Sequence, residues 1–378
     1  MADRSCAFAS RVAASVLGSI GSLLLLSVAS AHAVEPDIPR IEIDAERGSV
    51  KQEIELGADY FVGRGVQRNE QQAAYWYEKA ANSGDPRAQK QIGYFYQVGI
   101  GVTRDPVRAV QWYQRAAAGG LTSAKVNLGV AYLWGIGVQK NPELATQLFR
   151  EATDRGNGSA AAYLGDMYYF GIGAPVDTAS ARHWYRKGAL LHDSLAQFRY
   201  GGLLSIDATH KQNLRKASIL LRESGRQGYV PAQHALGLLL ANHPELCAQP
   251  GETIDLLRSA SAAGTWKSSA VLGALFREGR GVPADVSEAY YYFHLAQLQG
   301  GEEARLAVAT DLSILSAQIS AEREKALDAK ATEWMNNHPM SLEFVYKEGT
   351  NEKNFPAFAL SSPNAEMHAG RLIPNPSF

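Results

Sequence analysis

The segment AQKQIGYFYQVGIGVTRDPVRAVQWYQRAAAGG, residues 88–120, decides how this chain is read. Laid along the rest of the sequence, it recurs at a fixed interval. Gly57, Gly93, Gly129, Gly165, Gly201, Gly237 and Gly273 are each 36 residues apart. A period of that size marks a stacked repeat architecture. Within one period, Ala88, Ile92, Gly93 and Tyr96 fall at helical spacing and form the apolar face of a first helix. Gly99-Ile-Gly101 ends that helix, because two glycines allow positive φ and a sharp reversal. Asp105 follows twelve residues after the period glycine, and Asn69, Asn141, Asp177, Asn213 and Asp285 hold the equivalent places. Their side-chain oxygens suit the cap of a second helix. Only Gln249 departs. Pro106, Pro142 and Pro250 come next, where a missing N–H costs nothing. Ala109, Trp112, Tyr113, Ala116 and Ala117 make the second apolar face, and Gly120 closes the unit. Asp85, Asn157 and Asp193 are placed to cap the next first helix.

Each period is therefore read as a helical hairpin with about 12 to 13 residues per helix. Small residues at the helix contacts let the backbones approach, and the Trp and Tyr rings fill the remaining space. One hairpin cannot cover such a face alone; stacking on neighbours does so.

These residues resemble the Sel1-like repeat family, a relative of the tetratricopeptide repeat. The pattern A-x3-LG-x2-Y-x2-G-x-GV, then Asn or Asp, A-x2-WY and AA-x2-G reads here as Leu56-Gly57, Tyr60, Gly63-Arg64-Gly65-Val66, Ala73, Trp76-Tyr77, Ala80-Ala81 and Gly84. The resemblance covers residues 50–301 and implies an all-α, right-handed α-solenoid of seven 36-residue helix–turn–helix repeats. Repeats five and six depart from it. They lack Gly-x-Gly, and Leu220-Leu221 and Leu256-Leu257 replace Trp-Tyr. Their unbroken spacing predicts hairpins with different loops. Repeat seven regains Gly279-Arg280-Gly281-Val282 and carries Tyr290-Tyr291-Tyr292-Phe293.

The flanks divide as follows. Residues 1–33 have Arg4 and Arg11, an apolar run at 12–28 and Ala31-His32-Ala33, the layout of a cleavable signal peptide. This predicts an exported protein, periplasmic or else secreted, with no stable membrane insertion after cleavage. Residues 34–48 read as a linker in which Asp44 opens a short lead-in helix. Residues 302–338 read as C-terminal capping helices. The last of these is expected over 316–335, capped by Ser320 or Ser316, with Ile319, Ala326, Leu327, Ala331 and Trp334 on one face. Residues 339–378 hold Pro356, Pro363, Pro374 and Pro376 and read as a disordered tail, with Phe344, Tyr346, Phe355, Phe358 and Phe378 as its apolar content.

Chemistry is sparse. The mature chain has no His-Glu-x-x-His, Walker loop, Gly-x-Ser-x-Gly or Cys-x-x-Cys. The Gly-x-Gly pairs follow helices and lack a third glycine, which makes them turns and not a nucleotide fingerprint. The eight histidines after residue 33, His210 and His243 among them, do not pair at ligand spacing, so neither a metal nor another cofactor is expected. Removal of the leader leaves Cys247 alone, without an internal disulfide partner. Charge is balanced at 37 basic and 38 acidic residues. No basic stripe runs along the sequence, which disfavours nucleic acid and anionic membrane as partners.

By analogy with tetratricopeptide repeats, first-helix positions minus 3, plus 1, plus 4 and plus 5 from the glycine face outward. They nominate Lys90, Tyr94, Gln97, Leu133, Asp166, Tyr169, Phe198 and His234 as a partner-binding groove. Plus-5 aromatics such as Trp134 and Phe170 are expected to pack under the next turn. The resemblance implies a non-catalytic adaptor, scaffold or regulator in envelope or exopolysaccharide processes. A glycan- or peptidoglycan-binding module is the alternative, and a penicillin-binding or lactamase-like hydrolase the weaker one. Oligomeric state and the identity of the protein partner stay open at this level.

Overall fold

The computed structural model describes residues 38–206 and 210–338. The expected leader at 1–33 and the tail at 339–378 lie outside these residues. The described chain is helical throughout, and it divides into two compact units on either side of Ala181.

The first unit begins with α1 (Ile38–Glu46) and continues through α2 (Val50–Val62), α3 (Glu70–Asn82), α4 (Pro86–Val98), α5 (Pro106–Ala118), α6 (Thr122–Trp134), α7 (Pro142–Asp154) and α8 (Gly158–Phe170). Helix α9 (Thr178–Leu190) crosses the division. The second unit holds α10 (Ser194–Ile206), α11 (Lys211–Arg226), α12 (Val230–Asn242), α13 (Glu252–Ala262), α14 (Trp266–Glu278), α15 (Val286–Ser316) and α16 (Ala321–Asn337). Within each unit consecutive helices pack as antiparallel neighbours, α2 on α3, α3 on α4, α10 on α11, and onward.

The period glycine sits where the two helices of a hairpin cross. A Cβ on Gly129 would lie 2.6 Å from Cε1 of Phe149, and one on Gly93 would lie 2.8 Å from Cε1 of Tyr113. Both rings are buried. The second glycine of the turn has a different task. Gly101 has φ 64°, and a Cβ there would stand 2.0 Å from the Glu70 carbonyl oxygen. A Cβ on Gly137 would meet the Pro106 carbonyl oxygen at 2.1 Å. Each of these glycines lets a turn press against the start of the second helix in the preceding hairpin.

The caps follow the sequence reading where the repeat is regular. Asn69 accepts from the Gln71 and Gln72 N–H groups, Asp105 from Arg108, Asn141 from Leu144 and Asp285 from Glu288. Asn213 corrects it. Helix α11 starts three residues earlier than that cap implies, with His210 at its cap, and Asn213 lies inside the helix. Pro250 is likewise not the first helical residue of α13, which begins at Glu252 after a left-handed Gly251.

The region read as a linker also needs correction. Ile38–Glu46 is helical and packs on α2, with Ala45 fully buried. Its register explains why. Gly48 stands 36 residues before Gly84, and Glu42 stands 36 before Glu78. Tyr60 donates its hydroxyl hydrogen to Glu42 at 3.0 Å, as Tyr96 does to Glu78 at 3.1 Å. Helix α1 thus occupies the place of a second helix in a hairpin preceding α2. Lys79 fastens it, donating to the Ala45 carbonyl at 2.8 Å while pairing with the buried Glu53 at 3.2 Å.

At the far end, α15 breaks at Gly301 (φ 59°, ψ −139°), and its second half packs beneath α16. Ser320 is the cap of α16, accepting from the Arg323 N–H. Leu327 and Ala331 are buried as expected, whereas Ala326 is exposed. Arg277 pairs with the buried Asp311 and ties this last hairpin to α14.

His234, nominated for the groove, is a core residue with 5% of its surface exposed. Its Nδ1 lies 2.8 Å from the Ser268 hydroxyl on α14, because the minus-3 register there faces the next first helix. Burial, and secondarily the Lys267 charge, lower its pKa to about 4.

Two predictions follow from this packing. Gly137→Ala, which meets a carbonyl and a left-handed φ together, destabilises the protein by more than Gly156→Ala, where φ is 86° and nothing lies within 4 Å. The latter costs about 1–2 kcal/mol, and denaturant titration of both variants ranks them. His234 sets an acid limit. Its folded pKa is depressed, so the folded state binds fewer protons than the unfolded chain, whose ordinary value is 6.5. Its stabilising contribution is complete above that value and is lost as pH falls, the loss reaching about 3 kcal/mol near pH 4. Hydrogen exchange of α12 and α14 therefore accelerates across that window, and His234→Gln flattens the dependence.

Candidate functional site

The nominated groove residues do not share one environment. In the first unit Lys90, Tyr94 and Gln97 lie half-buried on α4, and Tyr169 lies half-buried on α8. Gln97 accepts the Tyr113 hydroxyl hydrogen at 2.8 Å, and Tyr94 leans on the core formed by α3, α4 and α5. Burial raises the Tyr169 pKa, so its phenol stays protonated at neutral pH. Leu133 and Asp166 correct the expectation. Leu133 has 1% of its surface exposed and Asp166 8%, so neither offers a contact to a partner. Register alone placed them outward. Side-chain length decides the outcome: the longer Gln97 and Tyr169, at the same register as Leu133, still reach the surface. In the second unit Phe198 is half-buried, its ring 5.3 Å from that of Tyr229, and His234 is in the core.

What the sequence reading underrated is the plus-5 register. Val62, Val98, Trp134 and Phe170 occupy it in the first unit, one on each of α2, α4, α6 and α8, immediately before the turn glycines. Val62 is 64% exposed, and the other three are half-buried like Tyr94 and Tyr169. Trp134 and Phe170 are thus partly covered and keep part of their ring surface in solvent. The Phe170 ring stands edge-on to Tyr169, with centroids 4.9 Å apart. The sequence signal was available: four apolar residues recur at 36-residue intervals at a place that needs no apolar residue to close the hairpin.

The tryptophans at the other conspicuous register are structural. Trp76 and Trp112 are buried, with Lys79 and Arg115 over their rings at 4.8 and 4.7 Å. Burial and the neighbouring Glu78 push the Tyr96 pKa up to about 12. Among the described residues no group of three or more His, Cys, Asp or Glu side chains could hold a metal ion. No helix among them is long and apolar enough to cross a membrane.

The Sel1 repeat model matches residues 53–85, 86–121, 122–157, 158–193 and 267–300. The unmatched interval holds α10 to α13, which keep the helical period without the consensus turn. Among solved structures, a Sel1 repeat protein from Oxalobacter formigenes is 26% identical, with a TM-score of 0.55 over 66% of this chain and 99% of that one. The protective antigen c5321 of uropathogenic Escherichia coli, which displays an SLR fold, is 23% identical over 82% of this chain and 74% of that one, with a TM-score of 0.41. A putative Sel1 repeat protein from Klebsiella pneumoniae subsp. pneumoniae is 20% identical over 53% of this chain and 98% of that one, with a TM-score of 0.36. A comparison with curated proteins returned no match. The repeat matches, the helical hairpins and the Oxalobacter likeness agree, and this chain is a Sel1-repeat protein.

Proposed function

We propose that this protein is a non-catalytic adaptor that holds an apolar segment of a protein partner against the first helices of its first unit. The supporting observation is the row Val62, Val98, Trp134 and Phe170, four apolar side chains at one register, of which Val62 is exposed and the other three keep part of their surface in solvent. Tyr94 and Tyr169 flank the row with half-buried phenols, an apolar body and a polar tip. Rings of this kind serve as anchors in protein interfaces because they bury much area with little loss of rotamer freedom. Sel1 repeats commonly act as protein-interaction scaffolds, which agrees with this reading. The leader-like residues 1–33 support an envelope location, with the periplasm as the site of action.

Two outcomes test the proposal. A photoreactive residue at position 98 crosslinks a stoichiometric envelope protein, and Trp134→Ser with Phe170→Ser abolishes that product while leaving the melting curve in place. An unchanged crosslink in the double variant removes the assignment. Trp112→Ala is the structural contrast and costs about 3–5 kcal/mol of stability. Export makes a separate claim: the protein recovered from the periplasmic fraction begins at Val34, and recovery of an intact N-terminus from the cytoplasm contradicts it.

A further inference from the structure

Charge is balanced over the whole chain but not along it. Residues 182–229 carry nine lysines and arginines against three acidic residues. No run of basic residues marks them, because they are spread over α9, α10 and α11. The structure brings part of this charge onto the solvent faces of second helices. Arg186 is exposed on α9, and Lys211, Arg215 and Lys216 are exposed on α11, where Arg226 is also exposed but pairs with the exposed Glu223 at 2.9 Å. The same faces carry exposed aliphatic side chains. Leu190 is 69% exposed, Ile219 57% and Leu191 40%. Leu190 stands at the register of Arg226, and Ile219 at that of His183.

The loop after α9 is itself irregular. The corresponding loops of other hairpins place Gly84, Gly120, Gly156, Gly228 and Gly264 at positive φ. Here His192 takes that place with φ 57°, the one positive-φ residue among those described that is not glycine. The chain thus accepts backbone strain at this turn and exposes two leucines beside it. Neither feature helps close a hairpin, as the glycine loops show.

Cations with separate aliphatic side chains between them suit a particular kind of partner. A nucleic acid would meet the cations and leave the leucines in water. A protein would need a matched socket for each aliphatic group. A bilayer with anionic headgroups takes up isolated aliphatic side chains anywhere along its surface and meets the cations at its phosphates. We propose that the solvent faces of α9, from Arg182 onward, and α11 bind an anionic phospholipid surface, with Leu190, Leu191 and Ile219 entering the headgroup boundary. This is attachment at the surface, not insertion, and it reverses the expectation from sequence that anionic membrane is disfavoured.

Flotation of the leader-free chain with vesicles tests it. Vesicles containing phosphatidylglycerol bind the protein at low salt at least tenfold more tightly than pure phosphatidylcholine vesicles. Leu190→Ser with Leu191→Ser weakens binding about tenfold at every salt concentration. Arg215→Glu with Lys216→Glu weakens it as much and reduces the salt dependence. Arg104→Glu with Lys140→Glu makes the same charge change in the first unit and leaves binding intact. Circular dichroism melts confirm that each variant folds. The proposal falls if wild-type protein does not float with either vesicle, or if the first-unit variant loses as much binding. It also falls if polyglutamate or duplex DNA binds as tightly and the leucine variants bind vesicles like wild type.

Discussion

The fold depends on one absent atom, the Cβ at the crossing of each hairpin. A glycine inside a helix gives up about 1 kcal/mol of helix propensity relative to alanine. Burying the ring that fills the space returns about 1.5–3 kcal/mol, so close approach wins at each crossing. The same geometry accounts for the irregular hairpins. A Cβ on Gly201 would stand 2.9 Å from Cγ of Leu221, and one on Gly237 would stand 2.7 Å from Cγ of Leu257. Leucine replaces the ring there, and the crossing remains closed. The requirement is an apolar group large enough to fill the seam, whether or not it is aromatic.

The turns obey a second constraint that acts between hairpins and not within them. Gly101 and Gly137 are held by backbone atoms of the preceding second helix. Gly281, whose preceding hairpin starts α13 late, has nothing within 4 Å of its would-be Cβ. The glycine pair of a turn is therefore most strongly required where a regular hairpin precedes it. Arg222 replaces that contact in the irregular region. It pairs with Glu252 at 2.7 Å, while Glu252 also accepts the Ala248 N–H and so fixes the loop entering α13. A polar clamp with few conformers takes over a task done elsewhere by backbone contact.

These two constraints set how much was legible in the sequence. The period, the crossing residues and the caps at Asn69, Asp105, Asn141 and Asp285 could be read directly, because each is a local demand met by few residue types. Helix α1 was expected only as a short segment starting at Asp44 because its apolar pattern is short, yet Gly48 and Ala45 were already in register with Gly84 and Ala81. Outward-facing positions were harder. The minus-3, plus-1 and plus-4 registers lie at the edge of the stack, so exposure there turns on side-chain length and on the neighbouring first helix. That is why Gln97 and Tyr169 reach the surface while Leu133, Asp166 and His234 do not. Periodicity specifies a backbone direction, and the last few ångströms belong to the individual side chain.

A repeat protein makes its own reference for what folding requires. Every position has counterparts solving the same packing problem, so a residue that departs from them without a packing gain stands out. Leu221 and Leu257 depart and still close their crossings, which makes them substitutions within the rule. Leu190, Leu191 and His192 depart in the other direction, adding strain and exposed aliphatic surface where polar or small residues and a glycine suffice in the other hairpins. Val62, Val98, Trp134 and Phe170 agree with one another but answer no demand of the hairpin, since each precedes a turn that its glycines already form. Residues that satisfy packing describe the scaffold, and these two sets, unnecessary to it, are where selection for binding has room to act.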